Sequence, residues 1–362
     1  MKSVEVAMVG AGPAGLLAAL AAAGQGASVV LIERDERLGG QLIKQTHKFF
    51  GSERQEAGAR GFMIARKLAE AVAAEPAIEV RLSSQALGYY SDRVIYLEEP
   101  NGLVKLKAER TILTTGAAER MLAFPGNDLP GVYGAGAVQT LMNVHGVRPG
   151  RRVLMIGSGN IGLIVSYQLL QAEVEVVAIL EAAPYVGGYL VHAAKVRRAG
   201  VPILTSHSVK EALGDREVRG AVVCRLDSAW QPIAGSEVSF ACDVICLATG
   251  LNPLTELAWQ AGCRMVYVPE LGGHVPWHDD DMRTSVEHIY VAGDCSGVEE
   301  ASAAMAGGWL AGLSAAASLG HDRGGAELRK AAREELVALR AGPTGAKIRK
   351  GLEALSRAGG PA

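Results

Sequence analysis

Two sets of glycines in this 362-residue chain stand at the same spacing: Gly10, Gly12 and Gly15, then Gly157, Gly159 and Gly162. Each set follows an apolar run, Val4 to Val9 and Val153 to Ile156, and opens a stretch of helix-forming residues. Each is followed by a β-branched run that ends in an acid, Glu33 in one case and Glu181 in the other. Strand, Gly-x-Gly-x-x-Gly, helix, strand and acid together make the fingerprint of a dinucleotide site. The first glycine makes a tight turn, the second lets the backbone approach a pyrophosphate, and the third lets the helix pack closely on the strand. Pro13 and Ala14, like Asn160 and Ile161 in the second copy, fall in the first helical turn, whose exposed amides and positive dipole end hold phosphates. Glu33 and Glu181 are then placed to accept from ribose hydroxyls. Glu181 would repel a 2′-phosphate, so NADH is the default occupant of the second copy, with ATP or ADP compatible with the same residues.

Other reactive residue types carry weaker signals. Gly39-Gly40-Gln41, shortly after Glu33-Arg34, leaves room for a bulky group, and Lys44, His47 and Lys48 follow in a polar, aromatic run to Gly51. The five cysteines (Cys224, Cys242, Cys246, Cys263, Cys295) form no CxxC pair and no zinc-ligand spacing. Cys242 and Cys246 fall in the run Phe240 to Leu247, which reads as one strand with both thiols on one face, too far apart to bridge. Free, reduced thiols suit a cytoplasmic protein. His274 and His278, beside Asp279 to Asp281, invite a metal reading, but their spacing matches no recurring site and Gly272-Gly273 points to a turn; no metal is expected. Glu299 and Glu300 are read as caps on a following helix.

These residues need a scaffold, and the length points to two domains. With 49% hydrophobic residues and a formal charge of -2, the chain reads as a soluble globular protein, without the basic footprint of a nucleic-acid binder and without a transmembrane segment. Lys2 ahead of an alanine-rich run resembles a secretory leader, but Glu5 and the glycine spacing argue against it. In chain order the pattern predicts a helix over 56–74, an antiparallel meander over 78–106, and a strand from Arg110 ending at Thr115-Gly116. The second fingerprint closes on Thr249-Gly250, an echo of the first, and Gly187-Gly188 echoes Gly39-Gly40. A third region runs through Arg283 to Gly293-Asp294 into a helix over 301–319. The tail from Gly320 is basic and amphipathic, broken at Gly342-Pro343. Its stripe of Leu328, Leu336, Leu339, Ile348, Leu352 and Leu355 is read either as a solvated helix or as a docking element for a partner.

The paired fingerprints, the two Thr-Gly strand ends and the segment Thr284 to Asp294 resemble the flavoprotein reductases with two dinucleotide domains, the superfamily of thioredoxin and glutathione reductases. The resemblance implies an α/β fold of two Rossmann-like domains, each a parallel sheet with an antiparallel meander, the second inserted in the first. It implies FAD in a domain made of residues 1–116 and 251–320, an adenine nucleotide in 117–250, and a separate tail over 321–362. FAD would be gripped by Gly10, Gly12, Pro13, Ala14, Gly15, Glu33, Arg34, Gly40, Gln41, Thr115, Gly116 and Gly293, with Asp294 accepting from a ribityl hydroxyl. The second nucleotide would be held by Gly157, Gly159, Asn160, Ile161, Gly162, Glu181 and Gly250. Lys44, Lys48 and Cys295 are weak catalytic candidates: a lysine near the flavin would stabilise its reduced anion, whereas Cys295 reads more readily as a buried inert thiol.

The departures from that superfamily matter as much. Thr140 and Asn143 stand where thioredoxin-reductase relatives carry their CxxC, and no cysteine follows the first glycine pair, so no disulfide relay is expected. Phe124-Pro-Gly126, Leu129 to Val132, Gly134 to Gln139 and Val291 to Gly307 look more like the flavoprotein subunits of opine oxidase, dye-linked proline and hydroxyproline dehydrogenases and hydrogen cyanide synthase. That likeness implies a small-molecule substrate of the amino-acid or opine class. It also implies partner subunits, a second flavoprotein or an iron-sulfur protein, with any cluster on another chain because no cysteine follows Cys295. The competing expectations are an assembly subunit with structural nucleotides and a stand-alone NADH:acceptor reductase.

Overall fold

The computed structural model describes residues 2–49 and 52–359; Phe50 and Gly51, at the end of the polar run after Gly40, lie outside it, as do the last three residues of the tail. The chain divides into two compact units, Met1–Ala118 with Leu251–Ala362, and Glu119–Gly250.

The first unit begins with β1 (Lys2–Val9), α1 (Pro13–Gln25) and β2 (Val29–Ile32), then α2 (Gly61–Ala73) and β3 (Ile78–Arg81). β1, β2 and β3 pair in parallel, as short strands joined by helical crossovers must. β3 therefore belongs to the parallel sheet and not to the expected meander. The meander is β4 (Gln85–Tyr89), β5 (Val94–Glu99) and β6 (Gly102–Leu113). The predicted helix 56–74 starts only at Gly61, after a short 3-10 turn at Glu53–Gln55.

The twelve-residue β6 joins the two kinds of sheet. Along one edge it pairs with β1 from Lys2↔Leu106 to Val9↔Leu113. Along the other, its first half takes β5 antiparallel and its last three residues take β19 (Ile289–Val291) in parallel. β1 is thus a central strand, and Val6, Ala7 and Met8 are fully buried. Burying side chains such as Met8, Leu16 and Leu31 contributes about 1.5–3 kcal/mol each.

β7 (Ala117–Glu119) leads into the second unit, whose elements are β8 (Val132–Gly134), α3 (Ala135–His145), β9 (Arg152–Ile156), α4 (Asn160–Gln171), β10 (Glu175–Glu181), α5 (Leu190–Arg198) and β11 (Ile203–Thr205). An antiparallel ribbon follows, β12 (His207–Leu213), β13 (Gly220–Arg225) and β14 (Val238–Phe240), and then β15 (Val244–Leu247). Five strands form one parallel sheet in the order β11-β10-β9-β15-β8. Phe240 to Leu247 is not one strand. Asp243 interrupts it, its carboxylate accepting from the amides of Arg151 and Arg152 at 2.9 and 2.8 Å. Cys242 and Cys246 consequently do not share a face: they join different apolar clusters of this unit.

The chain returns to the first unit through β16 (Leu251–Pro253), α6 (Glu256–Gln260), the hairpin β17 (Met265–Val268) and β18 (Gly273–Pro276), and β19. α7 (Ala301–Ala317) then packs on α1. Both helices are alanine-rich, and their backbones meet because Gly308 and Gly312 carry no side chain. A Cβ at either would collide with the carbonyl of Ala14 or Ala18.

The tail forms α8 (Gly325–Leu339) and α9 (Ala346–Arg357), and it clusters with the first unit. Most of its apolar stripe is covered by its own chain. Leu336 packs against the α1 and α7 core, and Leu355 with Ile348 and Leu352 closes over Val268, Leu271 and Val275. Of the stripe, Leu328 stays exposed. Apart from Leu328, the stripe packs on the chain's own core and holds the tail down.

The α1–α7 contact predicts opposite outcomes for two glycines. Gly312→Ala should destabilise the first unit by about 2 kcal/mol or more, because backbone and not a flexible side chain must give. Gly24→Ala, in α1 with open space around it, should stabilise it by about 0.5–1 kcal/mol. Thermal or urea unfolding of the two variants checks both signs.

Candidate dinucleotide sites

In each unit the glycine loop sits at the C-terminal end of a central strand, where parallel α/β sheets bind ligands. Gly10 has φ of +105° and Gly157 +104°, backbone that only glycine adopts readily. A Cβ on Gly10 would strike the Thr114 carbonyl, and one on Gly157 the Ala248 carbonyl. Gly15 and Gly162 lie against the carbonyls of Gly10 and Gly157, so helix and turn touch through backbone. Gly12 and Gly159 differ from these: nothing lies within 4 Å of a Cβ built on either. The second glycine of each loop opens onto the space that a pyrophosphate needs.

The acids at the strand ends are tied to the loops. Glu33, buried, accepts from the Ala11 amide at 2.7 Å and from the Asp35 amide at 3.0 Å. Glu181 accepts from the Ser158 amide at 2.9 Å, the Ser158 hydroxyl at 2.7 Å and the Ala183 amide at 2.9 Å. In both units the carboxylate bonds the residue between the first two glycines and the amide two residues further on. Gly39 donates to the Ala11 carbonyl at 2.9 Å and Gly188 to the Ser158 carbonyl at 2.8 Å. Gly188 is therefore the structural counterpart of Gly39. Gly40, at φ +50°, faces the Gly12 Cα, which a Cβ on Gly40 would approach to 2.7 Å.

Two residues that the spacing argument passes over complete the loops. Thr114 donates to the carbonyls of Val9 at 3.0 Å and Gly10 at 2.8 Å, pinning the first turn. Ser158 bridges the second loop by accepting from Gly187 at 3.1 Å while donating to Glu181. A small hydroxyl next to a fingerprint residue is the only sequence signal for either. Thr115, by contrast, donates to the Leu254 carbonyl at 2.6 Å, and Thr249 donates to the Arg120 carbonyl at 2.6 Å. Gly116 and Gly250 accept from the amides of Leu254 and Arg120 at 3.0 and 2.9 Å. These Thr-Gly pairs stitch each strand end to the chain segment that enters or leaves its unit.

The remaining candidates scatter in character. Pro13 and Asn160 are the first residues of α1 and α4, and Asn160 accepts from the Tyr189 amide at 2.8 Å. Ala14 is buried with Gly293 against it, whereas Ile161, Arg34 and Gln41 lie at the surface. Lys44 ends a 3-10 turn over Gly40–Lys44. Lys48 is exposed and bridges backbone to Arg60, and the His47 ring stacks on Phe49 with centroids 6.5 Å apart. The Cys295 thiol donates to the carbonyls of Leu113 at 3.2 Å and Ala292 at 3.3 Å, and burial pushes its pKa up.

All five cysteines are buried and unpaired. Burial raises the pKa of each thiol. A buried protonated thiol is a poor nucleophile.

Asp294 stands apart electrostatically. Burial, with the carboxylates of Glu299 and Glu300 adding to it, pushes its pKa up to about 7, against the pull of the Glu299 amide. Glu300 occupies the N-cap position of α7, but its side chain makes no cap hydrogen bond. Glu299 does not cap either: it pairs with Arg340 through two hydrogen bonds of 2.9 and 2.7 Å. Among the described residues no three His, Cys, Asp or Glu side chains gather as a metal-binding group. His274 packs against Trp259 and Tyr267.

Each of the two α/β units carries a glycine loop open at its second glycine and a carboxylate tying that loop to the neighbouring strand. The sequence matches the family of pyridine nucleotide-disulphide oxidoreductases over residues 4–308, and the chain belongs to that family.

Among curated relatives it is 28% identical over 334 residues to an opine oxidase subunit of Agrobacterium tumefaciens (strain Ach5), covering 87% of this chain and 66% of that protein. It is 30% identical to the alpha subunit of sarcosine oxidase from Corynebacterium sp. (strain P-1), covering 88% of this chain and 33% of that one. It is 29% identical to the HcnB subunit of hydrogen cyanide synthase from Pseudomonas aeruginosa, covering 85% and 69%. The chain thus spans about two-thirds of the first of these relatives and one-third of the second.

Thioredoxin reductase of T. acidophilum superposes with a TM-score of 0.73 at 23% identity, over 88% of this chain and 99% of that one. L-proline dehydrogenase of P. horikoshii does so at 0.68 and 24%, over 92% and 59%. The family and these relatives support an FAD-dependent oxidoreductase that binds FAD and a pyridine nucleotide and is related to subunits of multi-subunit enzymes. No helix among the described residues is long and apolar enough to cross a membrane.

The open space at the second glycines yields a prediction that separates fold from binding. Gly12→Val and Gly159→Val, at φ of -71° and -65°, should leave the melting temperature of the ligand-free chain within about 3 °C of wild type. Gly12→Val should abolish flavin retention, and Gly159→Val should weaken nicotinamide or adenine nucleotide binding at least tenfold by calorimetry.

Proposed function

We propose that this chain is the nucleotide-binding flavoprotein subunit of an amino-acid, opine or proline-type dehydrogenase, moving electrons between FAD and NADH or a partner subunit without a redox disulfide. The observation that carries the reading is the doubled open glycine loop in a chain whose five thiols are all buried and unpaired. The fold of a disulfide reductase is present while the chemistry that defines one is missing, and function follows the site.

The residues fit FAD in the first unit. Gly12 leaves room for its pyrophosphate beside the first turn of α1, and Glu33, while accepting from Ala11, retains lone pairs for ribose hydroxyls. Gly10, Pro13, Ala14, Gly15, Arg34, Gly40, Gln41, Thr115, Gly116 and Gly293 complete that grip, with Asp294 toward the ribityl chain. When bound, FAD supplies the hydride and one-electron chemistry. The chain's own residues position and shield it. In the second unit, Gly157, Gly159, Asn160, Ile161, Gly162 and Gly250 take an adenine dinucleotide, and the carboxylate of Glu181, fixed by three donors, rejects a 2′-phosphate.

The partner is read from the relatives' names as subunits, and the substrate class from opine, sarcosine and proline in their names. Lys44 and Lys48 remain the candidates for stabilising a reduced flavin, in a protein that works in the cytoplasm.

Two outcomes follow. Mixed anaerobically with NADH, or with an amino acid or opine and its partner subunit, the FAD-loaded chain should lose its absorbance near 450 nm, the usual flavin band. Absorbance that survives every combination overturns the oxidoreductase reading and favours an assembly role.

The second outcome concerns Asp294, whose folded pKa of about 7 lies above the ordinary 3.8. Its ionisation therefore opposes folding, with a cost that is absent below about pH 4, grows as pH rises, and is complete above about pH 7. Asp294→Asn should raise the melting temperature of the FAD-free chain at pH 8 by about 3 °C or more, yet weaken FAD binding at least tenfold. A residue of purely structural value would move both in the same direction.

A further inference from the structure

The two acids that close the fingerprints carry different hydrogen-bond loads. An ionised carboxylate offers about four lone-pair directions, roughly two on each oxygen. Glu33 uses one on each: Oε2 accepts from the Ala11 amide at 2.7 Å and Oε1 from the Asp35 amide at 3.0 Å. Among the described residues no side chain donates to it, so each oxygen keeps one direction open. Glu181 makes the same two backbone bonds, Oε2 from the Ser158 amide and Oε1 from the Ala183 amide, both at 2.9 Å. Its Oε2 takes a further bond, from the Ser158 hydroxyl at 2.7 Å. That oxygen is filled, and Gly187 lies alongside it, a Cβ built there standing 3.9 Å away. Only Oε1 keeps a direction for a ligand.

The difference comes from a single oxygen atom. The residue between the first two glycines is Ala11 in one loop and Ser158 in the other, and both are fully buried. The Ser158 hydroxyl is not free to turn: the Gly187 amide donates to it at 3.1 Å, which directs its own proton to Glu181. Gly188 donates to the Ser158 carbonyl at 2.8 Å, and the Tyr189 amide to the Asn160 side chain at 2.8 Å. Successive residues of the segment after Glu181 are thus fastened to the glycine loop, and the hydroxyl is part of that fastening. A ribose hydroxyl that displaced Ser158 from Oε2 would leave a buried proton unpaired, which costs more than the exchange returns.

Resting on the reading of the second unit as a nucleotide site, we propose that Ser158 is a positioning residue that limits Glu181 to one ribose hydroxyl. Glu33, with a direction open on each oxygen, can accept from both hydroxyls of a ribose at once. Glu181 has its remaining direction on Oε1 and takes the 2′-hydroxyl, the one that an acid at this strand end meets. The 3′-hydroxyl finds no acceptor on it. The second site therefore takes adenine nucleotides that lack a 3′-hydroxyl nearly as well as the parent, and binds those that lack the 2′-hydroxyl weakly.

The test is the affinity of the FAD-loaded full chain for ADP, 2′-deoxy-ADP and 3′-deoxy-ADP by calorimetry, with FAD filling the first site so that the second reports. We expect 2′-deoxy-ADP to bind about tenfold or more weakly than ADP, as the loss of a hydrogen bond to a charged acceptor requires, and 3′-deoxy-ADP to bind within about twofold of it. Ser158→Ala opens a direction on Oε2, so 3′-deoxy-ADP should then bind about fivefold or more weakly than ADP, while the 2′-deoxy penalty stays. A residue of merely structural value would weaken all three ligands by the same factor. If Ser158→Ala does not fold, the wild-type comparison alone carries the test. In the wild type, penalties for both analogues, for neither, or for 3′-deoxy-ADP alone overturn the inference, as does a Ser158→Ala chain whose 3′-deoxy penalty is unchanged. Those outcomes overturn this inference alone and leave nucleotide binding standing; a chain that takes up no FAD, or that binds no ADP once loaded, overturns the nucleotide reading with it.

Discussion

One hydrogen bond recurs in both units and gives the other observations their meaning: a carboxylate at the end of the second strand accepts the amide of the residue between the first two glycines of the loop. Glu33 does this for Ala11 and Glu181 for Ser158. A loop of backbone amides left to itself would turn some of them away from a ligand. Anchored to a neighbouring strand by a charge-assisted bond, it keeps a fixed shape. That shape leaves Gly12 and Gly159 facing empty space while Gly10, Gly15, Gly157 and Gly162 are pressed against backbone. In the proposed reading the same carboxylates also accept from an adenine ribose, so one residue would serve both the protein's own geometry and its choice of nucleotide.

The close approach of backbone extends beyond the loops. α1, which starts at the first glycine loop, is packed by α7, which starts just beyond Asp294, and both contacts pass through glycine and alanine. Gly293 meets Ala14 at the same junction. The two chain segments that would grip one flavin are therefore joined rigidly, although about 280 residues separate them in the chain. This accounts for the abundance of alanine and glycine in a protein with few aromatics. Small side chains allow two helices to meet with little freedom to slide.

All five thiols are buried and unpaired. Sequence spacing already excludes a dithiol, and burial adds a second physical reason, since each thiol is held protonated in an apolar setting. Asp294, by contrast, is a group whose surroundings penalise its charge.

Much of the two glycine loops was legible in residue order alone. Glycine spacing, strand period and a terminal acid are local signals, and each copy of the fingerprint lies within about thirty residues, so short-range pattern was enough to locate the loops and the acids. What depends on distant pairing was not. β3 reads as part of a meander until its parallel partner β2 is known, and Phe240 to Leu247 reads as one strand until Asp243 is seen capping the amides of Arg151 and Arg152. Thr114 and Ser158 look incidental beside the glycines until their hydroxyls are placed. Glu299 looks like a helix cap, and the tail like a possible arm for a partner, until Arg340 and Leu355 are brought back onto the loop and hairpin they cover. Spacing along a chain determines which backbone shapes are accessible; which charges and apolar stripes find each other is decided only when segments far apart in sequence compete for the same surface and the best-paired arrangement wins.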